Sequence, residues 1–194
     1  MQLKLIDPNS YKTTQWSAGT TTELYILPEG ADYASRQFDL RVSSATVDAP
    51  ESTFTALPGF KRILTPLQEP LRIFHPDRPE EVLLQPYDLH AFFGGERTRS
   101  QGQGRDFNVI YRPDWQVEAR SLGPEEGQVT LSEPALYLIF SAQAQSVALY
   151  PEGQAPESLD FPSLGLAQLE VLPAASPLSL KASQSQLILI QISR

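Results

Sequence analysis

The sequence predicts an all-β protein of antiparallel strands with few short helices. Seventeen prolines and eleven glycines leave few windows long enough for a helix. Between these breaks, short runs alternate apolar and polar residues, the period of two that sends successive side chains to opposite faces of a sheet. The runs recur every ~8–12 residues, the rhythm of a sandwich or barrel.

The first clear run, Glu23-Leu24-Tyr25-Ile26-Leu27, stops at Pro28-Glu29-Gly30. Residues 38–43 alternate strictly, with Phe38, Leu40 and Val42 on one face and Asp39, Arg41 and Ser43 on the other. Further strands are expected over 62–64, 71–74, 81–84, 90–93 and 107–111. Beyond Pro113 they continue over 115–119, 128–131, 135–140, 146–150, 169–172, 178–180 and 187–192. Residues 94–104, with Gly94, Gly95, Gly102 and Gly104, read as a mobile loop. The stretch 151–165, mixing Pro, Gly and acidic residues, reads as a second loop with a short helical turn near 158–161. Gly123-Pro124-Glu125-Glu126-Gly127 is the expected connector between an N-terminal barrel, 1–122, and a C-terminal β half, 123–194, packed on it. The halves share a rhythm but no repeat that aligns.

Composition excludes several functions. The longest apolar run, 187–190, is strand-sized and far short of the ~20 residues that cross a bilayer. The first residues turn polar at Asp7-Pro8-Asn9, unlike the core of a signal peptide, so a cytoplasmic location is expected. The absence of cysteine removes disulfides, thiolate metal sites and cysteine nucleophiles. The formal charge is −8, and eleven of the fifteen basic residues lie within 1–110 among fourteen acidic ones. No basic stripe results, so neither nucleic acid nor an anionic membrane surface is an expected partner. An anion-binding arginine belongs in the first half.

The histidines offer little metal chemistry. His75 precedes Pro76-Asp77-Arg78-Pro79, the pattern of an exposed hairpin turn, and His90 sits in an apolar strand, where a hydrogen-bonded structural role is the common case. Without an H-x-H pair or a third imidazole, a two-histidine-plus-carboxylate site stays only formally open, and no metal or other cofactor is expected. There is no G-x-S-x-G elbow, and Gly102-Gln103-Gly104 continues into neither a third spaced glycine nor a phosphate-loop lysine. No catalytic residue is identified, although Glu23 and Asp106 are conceivable acid/base groups.

What remains is a polar constellation on strands. Trp16-Ser17-Ala18-Gly19-Thr20-Thr21-Thr22-Glu23 joins an aromatic, hydroxyls and a carboxylate ahead of a strand, and Arg41 shares a strand face with Ser43. The turn Leu57-Pro58-Gly59-Phe60-Lys61 delivers Arg62 to a strand start, and Arg105-Asp106-Phe107-Asn108 adds charge and an amide. The plainest reading makes Arg41, Arg62, Glu23 and Asp106 surface ion pairs. The alternative is a pocket in which an arginine fork clamps a carboxylate.

In order, these segments resemble the HutD/Ves-like family. Its pattern has a Trp, a Gly-rich step and T-x-E (here Trp16 to Glu23), then aromatic-x-x-R-hydrophobic-S-x-A (Phe38-Asp39-Leu40-Arg41-Val42-Ser43-Ser44-Ala45). Next come F-S-x-F-P-G-x-x-R (Ser52-Thr53-Phe54-Thr55-Ala56-Leu57-Pro58-Gly59-Phe60-Lys61-Arg62) and D-F-N-hydrophobic-hydrophobic-x-R (Asp106 to Arg112). The family's K-N-G-G-G after the tryptophan is replaced by Ser17-Ala18-Gly19-Thr20-Thr21, and the second half matches only in length and rhythm. The resemblance implies a cupin-like, RmlC-like jelly roll with two packed barrels and no established enzymatic activity. It also implies a tie to histidine utilisation or to stress responses, with regulation through binding a small carboxylate of the formylglutamate type, and Arg62 as the carboxylate anchor.

The expected function is therefore a non-enzymatic binder of a small anionic metabolite. Arg62 would be the clamp, Arg41, Ser43, Asn108 and Glu23 would shape polar recognition, and Trp16 would form an apolar wall. A metal-independent enzyme acting on a small polar metabolite, and a homodimer formed through sheet edges, are the competing expectations.

Overall fold

The computed structural model describes residues 3–78, 80–173 and 175–194; Met1 and Gln2 of the N-terminal run and Pro79 of the expected hairpin turn lie outside them. Nineteen strands and two 3₁₀ turns, Pro8–Ser10 and Pro124–Glu126, make up the regular structure of the described residues. The strands are β1 (Lys4–Leu5), β2 (Lys12–Trp16), β3 (Gly19–Leu27), β4 (Leu40–Val47), β5 (Glu51–Thr53), β6 (Lys61–Pro66) and β7 (Leu71–Phe74). They continue with β8 (Glu81–Leu84), β9 (His90–Phe93), β10 (Arg99–Gln101), β11 (Gly104–Tyr111), β12 (Gln116–Leu122) and β13 (Val129–Leu131). The last six are β14 (Ala135–Ser141), β15 (Gln145–Pro151), β16 (Glu157–Phe161), β17 (Gly165–Val171), β18 (Leu178–Ala182) and β19 (Leu187–Ser193). The all-β expectation holds, and every pairing of these strands is antiparallel.

Two compact units form, each from two sheets. Asn9–Trp115 holds a six-stranded sheet, β2-β3-β4-β11-β6-β9, and a four-stranded one, β5-β10-β7-β8. Gln116–Arg194 joins the N-terminal strand to form the other unit, with sheets β1-β17-β14-β19-β12 and β13-β18-β15-β16. Where the sequence suggested halves of 1–122 and 123–194, the chain divides at Trp115–Gln116. The pairing explains the position: β12 hydrogen-bonds β19 along its whole length, and β1 adds to the edge at β17.

The two interiors differ in chemistry. In the second unit Leu131, Tyr137, Ile139, Val147, Leu169 and Leu180 come from both sheets into one continuous apolar core. Smaller clusters in the first unit gather around Leu64, Ile73 and Phe92 and around Phe38, Phe60 and Ile110. The inner face of its larger sheet also carries charge. In register, Ile110 stands between Arg41 and Arg62, Ser43 beside Asn108, and Ala45 beside Asp106. The opposite face buries Leu40, Val42, Phe107 and Val109 completely. Both faces of β4 are thus out of water.

Two loop expectations fail. Residues 157–161 are strand β16, because Ser158-Leu159-Asp160-Phe161 alternates and Leu159 and Phe161 pack on the second core. Residues 94–104 are not a free loop: β10 pairs with both β5 and β7, and its buried Ser100 bonds the Ser52 hydroxyl at 2.9 Å. Strand β2 escaped the sequence because four of its five residues are exposed and show no apolar alternation.

Candidate functional site

A cavity of about 240 Å³ opens inside the first unit. Its floor is the charged inner face: Arg41 and Ser43 from β4, Asp106 and Asn108 from β11, and Arg62 from β6. Trp16 from β2, Tyr33 and Phe54 supply aromatic wall. Strict alternation in β4 and β11 puts these polar groups on one side, and the Pro58-Gly59 turn, with Gly59 at φ +83°, brings the chain back so that β6 starts beside β11.

Each arginine is held differently. Arg41 donates from Nε to Glu23 Oε2 at 2.7 Å and from a terminal nitrogen to the Ser43 hydroxyl at 3.3 Å, with its guanidinium 4.2 Å from the Tyr33 ring centre. Glu23 pairs in register with Ser43, and the β3 bulge between Glu23 and Tyr25 puts Ile26, not Tyr25, beside Arg41. Arg62 donates from Nη2 to Asn108 Oδ1 at 2.9 Å and lies over the Phe54 ring at 4.8 Å. Its Nε is buried and has no hydrogen-bond partner. Burial pulls the Arg62 guanidinium below its ordinary pKa, opposed by Tyr33 and Asp106 and reinforced by Arg41. It remains a cation, as arginine does in proteins.

Asp106 completes the row. Its Oδ1 accepts from Asn108 Nδ2 at 2.9 Å, so Asn108 links the carboxyl to Arg62 through one amide. Burial pushes the Asp106 pKa up to about 6, against the opposing pull of Arg62, Asn108, the Ala45 backbone and Arg105. A second buried donor without a partner, Trp16 Nε1, lines the same cavity.

Five of the six residues singled out in the sequence, Arg62, Arg41, Ser43, Asn108 and Trp16, line this cavity, and Glu23 stands against Arg41. The surface ion-pair reading is overturned: Arg41, Arg62 and Asp106 are only 6%, 8% and 5% exposed. Asp106 and Phe54 carried weak signals, the D-F-N motif and the segment that ends in P-G-x-x-R, whereas Tyr33 carried none, because its segment shows no pattern tied to the site. Gly19 has a structural task. A Cβ there would meet the Thr46 carbonyl oxygen at 1.9 Å, so glycine is required for β3 to lie against β4.

The histidines also depart from expectation. His75 is 2% exposed, not in an open turn, because its ring turns inward onto Phe92 and His90. Its Nε2 meets His90 Nε2 at 2.9 Å, while its Nδ1 faces the Thr98 hydroxyl at 3.2 Å and Glu96 at 3.4 Å. Among the described residues no group of three or more His, Asp or Glu side chains is arranged to hold a metal ion.

A larger groove of about 510 Å³ crosses the second unit beside Leu149, Pro151 and Pro177. Its charged lining residues are Glu152 and Glu157, so its charge is opposite in sign to the arginines on the floor of the first cavity. No helix of the described residues is long and apolar enough to cross a membrane.

A family model described as HutD matches residues 8–184. An uncharacterized 21.2 kDa protein in the hutC 3′ region of Pseudomonas putida is 29% identical over 148 residues, 74% of this chain and 75% of that protein. Among solved structures, a conserved protein of unknown function from Pseudomonas aeruginosa PAO1 superposes with a TM-score of 0.81 at 23% identity, covering 100% of both chains. HutD from Pseudomonas fluorescens SBW25 gives 0.77 at 20% identity, over 99% of this chain and 98% of that one. A cupin 2 conserved barrel domain protein from Leptotrichia buccalis gives 0.55 at 11% identity over 98% and 96%. The fold is cupin-like.

Proposed function

We propose that this chain, which belongs to the HutD family, binds a small carboxylate metabolite in the cavity of its first unit and acts as a regulatory sensor. The observation that carries this reading is Arg62, buried on the cavity floor with its Nε unpartnered. A buried N–H without an acceptor costs free energy, and a carboxylate oxygen removes that cost while answering the charge. Trp16 Nε1, buried and also unpartnered, offers a second donor to the same ligand. Arg41 is already answered by Glu23, so it shapes the field and leaves the clamp to Arg62.

The cavity, at about 240 Å³, is below the ~300–1,000 Å³ typical of drug-sized ligands, which favours a compact metabolite. The Pseudomonas putida relative, named for its place in the hutC 3′ region, supports a role in histidine utilisation and so a ligand of the formylglutamate type. Calorimetric titration with N-formyl-L-glutamate tests the reading. Binding by the wild type and at least a hundredfold loss in Arg62→Ala are expected; equal heats would remove Arg62 from the site.

One observation favours a second reading, a metal-independent enzyme acting on a small polar metabolite. A buried carboxyl with a pKa of about 6, as Asp106 has, is suited to general acid/base work. Turnover of the bound metabolite, abolished in Asp106→Asn, would establish it.

A further inference from the structure

We propose that the cavity takes up its carboxylate ligand together with a proton, and that Asp106 receives that proton. The inference rests on the reading of Arg62 as clamp. It makes Asp106 the residue that decides how much negative charge the site accepts.

Charged groups from four strands face the cavity floor. Strand β3 contributes Glu23, β4 contributes Arg41, β6 contributes Arg62, and β11 contributes Asp106 itself with Arg105 next in sequence. Glu23 and Arg41 form a direct pair at 2.7 Å and leave the balance unchanged. Asp106's register neighbours, Ala45 on β4 and Pro66 on β6, carry no charge. Tyr33 also faces the cavity. His90, two strands away on β9, is engaged by His75, and burial holds both imidazoles below their ordinary pKa, so they stay neutral at pH 7. The active pair on the cavity floor is therefore Arg62 and Asp106, joined through the Asn108 amide.

With the cavity empty, an ionised Asp106 balances Arg62. A carboxylate arriving at the free Nε of Arg62 adds one negative charge to a buried site and takes the field that kept Asp106 ionised. Two carboxylates then face one guanidinium, and a like charge raises a carboxyl pKa. Burial has already brought Asp106 to about 6, so a further rise of roughly two to three units, the size that a second carboxylate in a shared buried site produces, leaves it protonated at neutral pH. The balance at Arg62 is complete: one carboxylate group and one proton arrive there, the proton comes from buffer, and the charge beside Arg62 is unchanged. Neutral Asp106 also gains an O–H that can donate to the incoming carboxylate.

Titration of the full chain with N-formyl-L-glutamate tests this, since that ligand's carboxylates stay ionised from pH 5.5 to 8 and it has no amine. Heats measured at pH 7.5 in buffers of different ionisation enthalpy should report close to one proton absorbed per ligand. Kd should rise by about tenfold per pH unit above pH ~6.5, the slope of a one-proton linkage. In Asp106→Asn the uptake should vanish and Kd should become flat with pH. Tight binding by the wild type with no proton uptake overturns the coupling and leaves the clamp intact. Uptake that persists in Asp106→Asn overturns the assignment to Asp106. No binding at any pH in the range overturns the clamp reading, and this inference with it. The wild-type uptake stands as a test even if the variant does not fold.

Discussion

His75 and His90 meet nitrogen to nitrogen, Nε2 to Nε2 at 2.9 Å, inside the first unit. That separation requires one proton between them, so one ring donates and the other accepts. Phe92 lies against both rings and also beneath the Arg62 guanidinium, at 5.5 Å from its ring centre. The pair thus belongs to the packing that supports the cavity floor.

Acid should weaken this pair. Burial lowers both pKa values, with Arg78 acting the same way and Glu96 opposing it. The unfolded chain therefore binds protons near pH 6.5 while the folded protein resists them. Stability is complete above about pH 7 and falls as pH drops through 6.5 toward the depressed values, by of order 1 kcal/mol. Urea melts at pH 7.5 and pH 5 should show this loss in the wild type and a smaller one in His75→Gln/His90→Gln.

Asp106 has the opposite sign. Its folded pKa of about 6 lies above the ordinary carboxyl value, so the folded state binds the extra proton and stability is lost as pH rises from about 4 through 6. Asp106→Asn should be more stable than the wild type at pH 8, by of order 2 kcal/mol. At pH 4.5 the gain should largely disappear. Thermal melts at the two pH values measure it.

The Glu23–Arg41 pair is nearly buried, with side chains 12% and 8% exposed. Glu23→Ala leaves a buried guanidinium unanswered and should cost about 3 kcal/mol. Adding Arg41→Met removes the unpaired charge, so the double variant should recover much of that loss. A double-mutant cycle by chemical denaturation gives the coupling directly.

Gly19→Ala should be among the most damaging small substitutions. The added methyl meets the Thr46 carbonyl oxygen at 1.9 Å, and β3 must shift away from β4 to relieve it. A loss of about 3 kcal/mol is expected from the forced separation. Because β2 pairs on β3 and carries Trp16, ligand affinity should fall as well.

Much of the fold was legible because strand punctuation is local. Proline and glycine breaks and period-two runs located most strands, including Leu71–Phe74, Glu81–Leu84 and His90–Phe93 at their observed bounds. The exposed β2 and the short β10 were missed, since neither carries an apolar run and both are defined by their partners. The bulge in β3 was invisible too, because an extra residue changes pairing without altering the sequence pattern.

The sequence by itself determined that Arg41 and Ser43 share a face, that one short run carries Asp106 and Asn108, and that a turn delivers Arg62 to a strand. Alternation states that two residues lie together; it does not state whether that side meets water, a core or a cavity. Tertiary structure decided this, by burying both faces of β4 and β11 and leaving one interior incompletely filled while the other packed solid with leucine, isoleucine and valine. The same decision joined two histidines fifteen positions apart and raised one carboxyl to about 6, because desolvation and pairing depend on what the whole chain brings near a group.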